Sequence, residues 1–203
     1  MKIAIIGATG NVGSRLTDEA LRRGHTVTAV ARQASKLPAR EGVTARDVDV
    51  AETSDLAHAL RGSDVVISTV RFLQTSAAQI VAAVKAAGVE RLLVVGGAGS
   101  LFVAPGVQLV DTPNFPDAYK AEALAGRDFL NALRGETALA WTFLSPSALF
   151  TPGERTGKFR LGNDDLLTAA DGKSWISMED YAIAMLDEIE QPKHVRERFT
   201  VGY

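Results

Sequence analysis

Three glycines stand close together near the start of the chain, in the stretch GATGNVG of residues 7–13. Glycines at this spacing have separate physical tasks. Gly7 permits a sharp turn, Gly10 lets the backbone approach a ligand, and Gly13 lets a helix pack closely on a strand. The stretch follows the buried-type run Lys2–Ile6 and opens an amphipathic helix, so the free amides and the positive dipole end of that helix face the loop. This context predicts a loop that binds the pyrophosphate of a dinucleotide.

The residue after the second apolar run distinguishes between two dinucleotides. Thr26–Ala31 is followed by Arg32, with Lys36 close behind, where proteins that bind NAD usually carry an acid for the ribose 2′-hydroxyl. A guanidinium can hold a 2′-phosphate by two hydrogen bonds, whereas a carboxylate would repel it. The alternative is an ordinary solvated arginine. The sequence therefore favours NADP(H) over NAD(H).

Three more segments lie where predicted strands end. Asp49 and Val50 follow the third strand, where a carboxylate can accept from the adenine amino group and an apolar side chain can cover the ring. An acid that only begins the next helix is the alternative for Asp49. Residues 68–70 and 96–97 end the fourth and fifth strands. Because ligands of open parallel sheets bind beyond the carboxyl ends of the strands, both segments are expected to line the cofactor crevice.

The elements that position these residues alternate between strands and helices, which predicts an α/β, Rossmann-type doubly wound parallel sheet. The predicted strands are Lys2–Ile6, Thr26–Ala31, Asp64–Val70, Arg91–Val95 and Leu139–Leu144. The predicted helices are Asn11–Arg23, Glu52–Arg61, Gln74–Ala87, Asp117–Arg134 and Met178–Glu190.

The region from residue 145 onwards has a different pattern. It is rich in Gly, Pro and Asp up to Ser177, with short extended pieces at Lys158–Leu161 and Trp175–Ser177 and an expected edge strand at Arg198–Val201. We interpret 1–203 as a single NAD(P)-binding domain in which 145–203 forms a small C-terminal substrate lobe.

Composition excludes several other classes of function. The formal net charge is −2, so bulk charge does not indicate a nucleic-acid binder, and no apolar run approaches the ~18 residues needed to cross a bilayer. There is no Cys, and His25, His58 and His194 are scattered, so no metal site is predicted. These features are typical of a cytoplasmic protein, expected to be a monomer or homodimer.

The chain resembles the atypical short-chain dehydrogenase/reductase family, within the branch of NADH-flavin reductases, biliverdin-reductase-B-like proteins and NmrA-like proteins. The motifs that carry the resemblance are Gly7–Gly13, Val94–Ser100, Trp141–Pro146, Pro152–Gly157, Glu179–Ala182 and Arg198–Thr200. The resemblance implies that the segment Ser145-Pro146 lies beside the nicotinamide. Together the patterns and the resemblance give the predicted cofactor-binding residues: Gly7, Thr9, Gly10, Asn11, Val12, Gly13, Arg32, Lys36, Asp49, Val50, Ser68, Thr69, Val70, Gly96, Gly97, Ser145 and Pro146.

The chain departs from that family at its proton-transfer residues. Short-chain dehydrogenases use a Tyr with a Lys four residues later, and the Lys lowers the pKa of the Tyr. Here Tyr119 is followed at that spacing by Ala123, and Lys120 is adjacent, so the two side chains diverge on a helix. No catalytic residue is therefore assigned, and Ser100 and Tyr119 remain candidates.

The missing dyad favours one acceptor chemistry over another. A flavin or a similar planar ring can take its proton from solvent, whereas a carbonyl needs a protein acid. The expected function is an NAD(P)H-dependent reductase of a planar acceptor such as flavin. A redox sensor of NmrA-like type, which binds NADP(H) without turnover, is the alternative, and sugar-nucleotide or ketone chemistry comes third.

Overall fold

The computed structural model describes residues 1–203 as a central sheet with helices on both faces. The strands are β1 (Lys2–Ile6), β2 (Thr26–Ala31), β3 (Val43–Asp47), β4 (Val65–Ser68), β5 (Arg91–Val95), β6 (Phe102–Ala104), β7 (Val107–Gln108), β8 (Ala140–Pro146), β9 (Leu149–Thr151), β10 (Arg160–Gly162), β11 (Trp175–Ser177) and β12 (Glu197–Gly202). The helices are α1 (Asn11–Arg22), α2 (Thr53–Leu60), α3 (Ala77–Ala86), α4 (Asp117–Arg134) and α5 (Met178–Glu190).

Eight strands form the sheet in the order β3-β2-β1-β4-β5-β8-β12-β10. All neighbours pair in parallel except β10, which runs antiparallel to β12. The strand order reverses at β1, which lies between β2 and β4, so the crevice for a ligand is expected beyond the carboxyl end of β1. The predicted Rossmann-type α/β fold is confirmed.

The central strands β1, β4 and β5 are buried on both faces of the sheet because they are mostly apolar. Along β1, Ile3 and Ile5 point to a core shared with α1 and α5, where Leu16 and Tyr181 are fully buried. Ala4 and Ile6 point to the opposite core, which the sheet shares with α2, α3 and α4. This two-sided burial follows from right-handed crossovers that place helices alternately on the two faces.

The last strand was predicted at the edge of the sheet, and this prediction is wrong. β12 is an inner strand that pairs in parallel with β8 and antiparallel with β10, so β10 forms the edge. The local sequence of β12 could not show this, because strand order depends on partners distant in the chain. The segment after β8 also forms a small parallel pair, β9 with β11, and β6 with β7 form a hairpin.

The third helix begins later than predicted. Its N-cap is Ser76, whose hydroxyl accepts from the amide of Gln79 at 3.2 Å, so α3 starts at Ala77 and not at Gln74. Residues Phe72–Gln74 form a separate 3-10 turn. None of the five helices is both long and apolar enough to cross a membrane.

Candidate functional site

A cavity of about 790 Å³ opens at the point where the strand order reverses. Its wall is built from the glycine loop, from the residues that follow β2 and β3, and from the segment that follows β4. The lining residues are Ile6, Gly7, Thr9, Gly10, Val30, Ala31, Arg32, Gln33, Val48, Asp49, Val50, Thr69, Val70, Arg71 and Gln74. We refer to it below as the large cavity.

A side chain would have a different effect at each of the three loop glycines. Gly7 has a φ of +86°, and a Cβ there would collide with the Thr69 hydroxyl. A Cβ on Gly13 would lie 2.8 Å from Ala8 Cα, so helix α1 could not approach β1. A Cβ on Gly10 would meet only the carbonyl oxygen of Gly7, at 3.3 Å. The fold thus requires Gly7 and Gly13, whereas Gly10 mainly keeps the cavity open.

The start of α1 offers unpaired donors at this loop. The backbone amides of Asn11, Val12 and Gly13 donate to no acceptor in the protein, while Gly10 donates to the Gly7 carbonyl oxygen at 3.0 Å. No acidic side chain stands in the first turn of α1. Free amides and an uncompensated helix dipole together form a site that suits an anion such as a pyrophosphate.

Arg32 is exposed at the cavity wall and forms no ion pair. The following turn is held by Asp47, whose carboxylate accepts from the Ser35 amide at 2.7 Å and from the Ser35 hydroxyl at 2.5 Å. These hydrogen bonds lower the pKa of Asp47. Lys36 lies outside the cavity lining, in the same turn as Ser35. The structure therefore presents one guanidinium, and no carboxylate, where β2 enters the cavity.

Asp49 serves the local backbone as well as the cavity. One of its carboxylate oxygens accepts from the amide of Ala51 at 3.0 Å, which forms a turn before α2. Its side chain and that of Val50 still line the large cavity. The Gln79 side-chain amide donates to the carbonyl oxygens of Val50 and Ala51, at 3.0 and 3.1 Å, so α3 fixes this wall. Asp49 can therefore both stabilise the turn before α2 and line the large cavity.

The segment after β4 contains residues that the sequence did not indicate. Thr69 and Val70 line the cavity as expected, and the Thr69 hydroxyl lies 2.9 Å from the carbonyl oxygen of Ile6. Arg71 and Gln74 also line it, although the sequence pattern had placed Gln74 inside a helix. Ser68 is buried in the sheet and does not reach the cavity.

The residues expected near the nicotinamide lie outside the large cavity, farther along the same sheet edge. The Gly96 amide donates to the Leu144 carbonyl oxygen at 2.8 Å, and a Cβ on Gly96 would lie 2.7 Å from that oxygen. Gly96 is thus needed for close strand packing. A Cβ on Gly97 would make an ordinary contact with the Phe72 ring, at 3.7 Å, and Ser145 and Pro146 are buried at the end of β8. Nicotinamide contacts for these residues stay a prediction.

The two candidates for proton transfer are placed very differently. Ser100 is only 3% exposed, and its hydroxyl lies 3.4 Å from a guanidinium nitrogen of Arg198, a contact that ties it into the interior. Tyr119 is 66% exposed on the first turn of α4 and has no hydrogen-bond partner for its hydroxyl. Neither side chain lines the large cavity. No group of three or more metal-ligating side chains occurs.

Solved structures of similar proteins cover the whole chain. One, provisionally described as an exported protein of Burkholderia pseudomallei, is 49% identical over 100% of both chains, with a TM-score of 0.90. A second, provisionally described as an epimerase of Bacteroides thetaiotaomicron, is 45% identical over 100% of this chain and 96% of its own, with a TM-score of 0.94. A third, provisionally described as an NADH-flavin reductase of Streptococcus pneumoniae, is 36% identical over 100% and 99%, with a TM-score of 0.87.

Two of these descriptions name activities, and the two differ, so the likeness establishes the family and the oxidoreductase-type fold rather than the reaction. A family model for NAD(P)H-binding proteins matches residues 7–192, a span that begins at the first loop glycine and includes every lining residue of the large cavity except Ile6. The resemblance that the sequence motifs suggested is confirmed at this level. The chain belongs to the NAD(P)H-binding family.

Proposed function

We propose that the chain is an NADPH-dependent reductase that transfers hydride to flavin or to a similar planar acceptor. The observation that carries the choice of cofactor is Arg32, an exposed guanidinium without a protein partner that directly follows β2, at the position where NAD-binding proteins usually carry an acid for the ribose 2′-hydroxyl. When bound, the nicotinamide supplies a hydride, and the reduced acceptor takes its proton from solvent.

The residues of the chain would bind and orient the dinucleotide. The amides of residues 11–13 would hold the pyrophosphate, and Arg32 would hold the 2′-phosphate by charge-assisted hydrogen bonds. Asp49 and Val50 would bind the adenine. The nicotinamide would then extend along the sheet edge towards Gly97 and Pro146, so that binding energy from the adenosine half aligns the reacting ring.

The choice of acceptor depends on whether a side chain at the site could donate a proton to it. Neither of the two candidate residues is arranged to protonate a carbonyl, because Ser100 is buried against Arg198 and Tyr119 is exposed to solvent without a partner. A planar ring that needs only stacking and a solvent proton fits this arrangement. The provisional description of the streptococcal relative as an NADH-flavin reductase supports the same chemistry.

The same arrangement favours a second candidate function, an NADP(H)-binding redox sensor that does not turn over. One pair of measurements separates the two. NADPH and NADH are titrated against the protein by fluorescence, and NADPH oxidation is then followed at saturating cofactor with and without FMN. We expect tighter binding of NADPH than of NADH, and oxidation that depends on FMN. Tight NADPH binding without FMN-dependent oxidation would instead identify the sensor.

A further inference from the structure

The outer wall of the large cavity is a short turn that cannot hold its own shape. Arg71 and Gln74 both line the cavity. The single 3-10 turn Phe72–Gln74 directly follows Arg71 and ends at Gln74. That turn has no side-chain cap from its own N-terminal residue, Arg71. A single turn of this kind fixes several dihedral angles for one hydrogen bond, so an isolated one is unstable.

A carboxylate on another element supplies the missing cap. Glu122 of α4 accepts from the Phe72 amide at 2.7 Å with one oxygen and from the Leu73 amide at 3.3 Å with the other. The second oxygen also lies 3.7 Å from the Arg71 Nε atom. Glu122 is about 50 residues away in the chain, so this is a tertiary contact and not a local turn preference.

Aromatic packing of Phe72 beneath the turn also stabilises it. The Phe72 ring lies 5.3 Å from the ring of Phe129 and 6.0 Å from that of Phe143, measured between centroids. On α4, Gly126 makes room for it, since a Cβ there would lie 2.9 Å from the Phe72 ring. The aromatic contacts anchor the inner side of the turn, whereas Glu122 fixes the two amides that set its orientation towards the cavity.

We propose that Glu122 is a positioning residue for the dinucleotide, which holds the turn 71–74 so that Arg71 and Gln74 face the bound cofactor. This inference rests on the proposed NADPH site. Glu122 itself does not line the cavity, so it would act only through the turn. Its removal would leave the partly buried Phe72 amide and the exposed Leu73 amide without an acceptor in the protein, and the turn would sample other orientations.

The experiment compares Glu122→Ala, Glu122→Gln and the control Asp128→Ala in the full chain. Asp128 is an exposed acid on the same helix with no hydrogen-bond or ion-pair partner, so its removal changes the charge of α4 without touching the turn. A glutamine keeps one acceptor oxygen and presents an amide donor to the second N–H. It should therefore restore only part of the function of the carboxylate.

The readouts are the Kd for NADPH by fluorescence titration, the melting temperature, and KM and kcat with FMN. We expect Kd and KM for NADPH to rise about tenfold in Glu122→Ala and a few-fold in Glu122→Gln. The control should keep the wild-type Kd, and kcat at saturating NADPH should change little in every variant. A purely structural Glu122 would lower the melting temperature without this selective rise in KM.

The possible failures are distinct from one another. A wild-type protein that does not bind NADPH would refute the proposed function and, with it, this inference. A wild-type protein that binds NADPH, with the same Kd in both Glu122 variants, would refute the inference alone. If Glu122→Ala does not fold, the Kd of Glu122→Gln decides between a positioning role and no role.

Discussion

Helix α1 borders two concavities that both contain arginines and differ in how their charges are satisfied. The large cavity lies at its N-terminus. A smaller one of about 260 Å³ lies on its flank, and we call it the flank cavity. It is lined by Ser14, Arg15, Asp18, Glu19, Arg22, Arg155 and Glu179. The flank cavity has no apolar lining residue, whereas six of the fifteen residues that line the large cavity are apolar.

In the flank cavity the charges are paired with one another. Glu19, only 2% exposed, accepts from Arg22 at 2.5 Å, from Arg23 at 2.9 Å and from Arg155 at 2.8 Å. Arg15 pairs with Glu179 at 2.7 Å. By contrast, Arg32 in the wall of the large cavity and the amides of residues 11–13, beside that cavity at the start of α1, have no protein partner. Polar lining alone thus does not separate the two cavities, whereas donors without a protein partner do.

The flank cavity also explains how the segment after β8 is held. Arg155 ties this segment to α1, and the amides of Thr156 and Gly157 both donate to the buried carboxylate of Asp180, each at 2.8 Å. The Tyr203 hydroxyl donates to the same carboxylate at 2.7 Å. These contacts hold the 153–157 loop against α1 and α5, so we assign the flank cavity a structural role.

The largest expected effect concerns Gly10. Gly10→Val should lower NADPH affinity at least a hundredfold, because a side chain there displaces the pyrophosphate from several charge-assisted hydrogen bonds of about 1.5–3 kcal/mol each. The fold should persist, since a Cβ meets only the Gly7 carbonyl oxygen, at 3.3 Å. Titration with NADPH and circular dichroism test both parts. Gly13→Ala is the contrasting variant, expected to unfold. A folded Gly10→Val protein with unchanged affinity would remove the loop from the binding site.

The next prediction concerns stability in the flank cavity. Burial raises the pKa of Glu19, but hydrogen bonds from Arg155, Arg23 and Arg22 outweigh this effect and lower the pKa from 4.5 to about 2. A depressed folded-state pKa stabilises the protein above the unfolded-state value, and this contribution is lost as the pH falls from about 4.5 towards 2. It amounts to about 3 kcal/mol at neutral pH.

Glu19→Gln tests this pH dependence. Denaturant unfolding of the wild type and the variant between pH 3 and pH 7 should give a difference in the free energy of unfolding that is largest at neutral pH and shrinks on acidification. NADPH affinity at pH 7 should not change. A difference that is constant with pH would show that the charge of Glu19 is not what stabilises the protein.

A pair of arginine variants compares the two cavities directly. Arg32→Ala should weaken NADPH binding about tenfold, leave NADH binding nearly unchanged and keep the melting temperature, because Arg32 has no protein partner. Arg155→Ala should lower the melting temperature and leave NADPH binding unchanged. It removes two hydrogen bonds to Glu19, both of 2.8 Å, and touches no part of the large cavity. Titrations with NADPH and NADH and thermal unfolding of both variants measure these two contrasting effects. Equal NADPH affinity in the two variants would contradict them.

The smallest effect is expected at Tyr119. Tyr119→Phe should change kcat for NADPH-dependent FMN reduction less than about twofold, because a solvent-facing hydroxyl without a partner is not poised for proton transfer. Steady-state rates at saturating NADPH measure it. Protein acids typically contribute about a hundredfold or more, so a loss of that size with normal cofactor affinity would identify Tyr119 as a catalytic acid.

The predicted residues that line the large cavity all lie close in sequence to the end of a strand. Gly7, Gly10, Arg32, Asp49 and Thr69 all line the large cavity. Gly7, Arg32 and Thr69 directly follow β1, β2 and β4, whose apolar runs are visible in the sequence, and parallel strands bring their carboxyl ends to one edge. For this reason, a loop or turn position near a strand end can be assigned to the cavity without knowing any tertiary contact.

The part that the sequence missed depends on distant partners. Arg71 and Gln74 reach the cavity because Glu122 and the ring stack around Phe72 hold a 3-10 turn, and no local pattern signals that contact. The alanine-rich segment with helical periodicity instead led to a predicted helix that begins at Gln74. Likewise, the burial of Ser100 against Arg198 joins two positions 98 residues apart in the chain. Local reasoning could name Ser100 as a candidate but could not place it.

The inner position of β12 has a consequence for biosynthesis. β8 pairs with β12 from Thr142 to Pro146, yet the hydrogen-bonded residues Ser145 and Thr200 are 55 positions apart, and α5 lies between the two strands in the chain. While the ribosome is still making this intervening stretch, β8 presents an apolar, unpaired edge that could pair with another nascent chain. We therefore expect ribosome-bound chains that stop before residue 197 to need a chaperone to stay monomeric, and the requirement to end once β12 emerges.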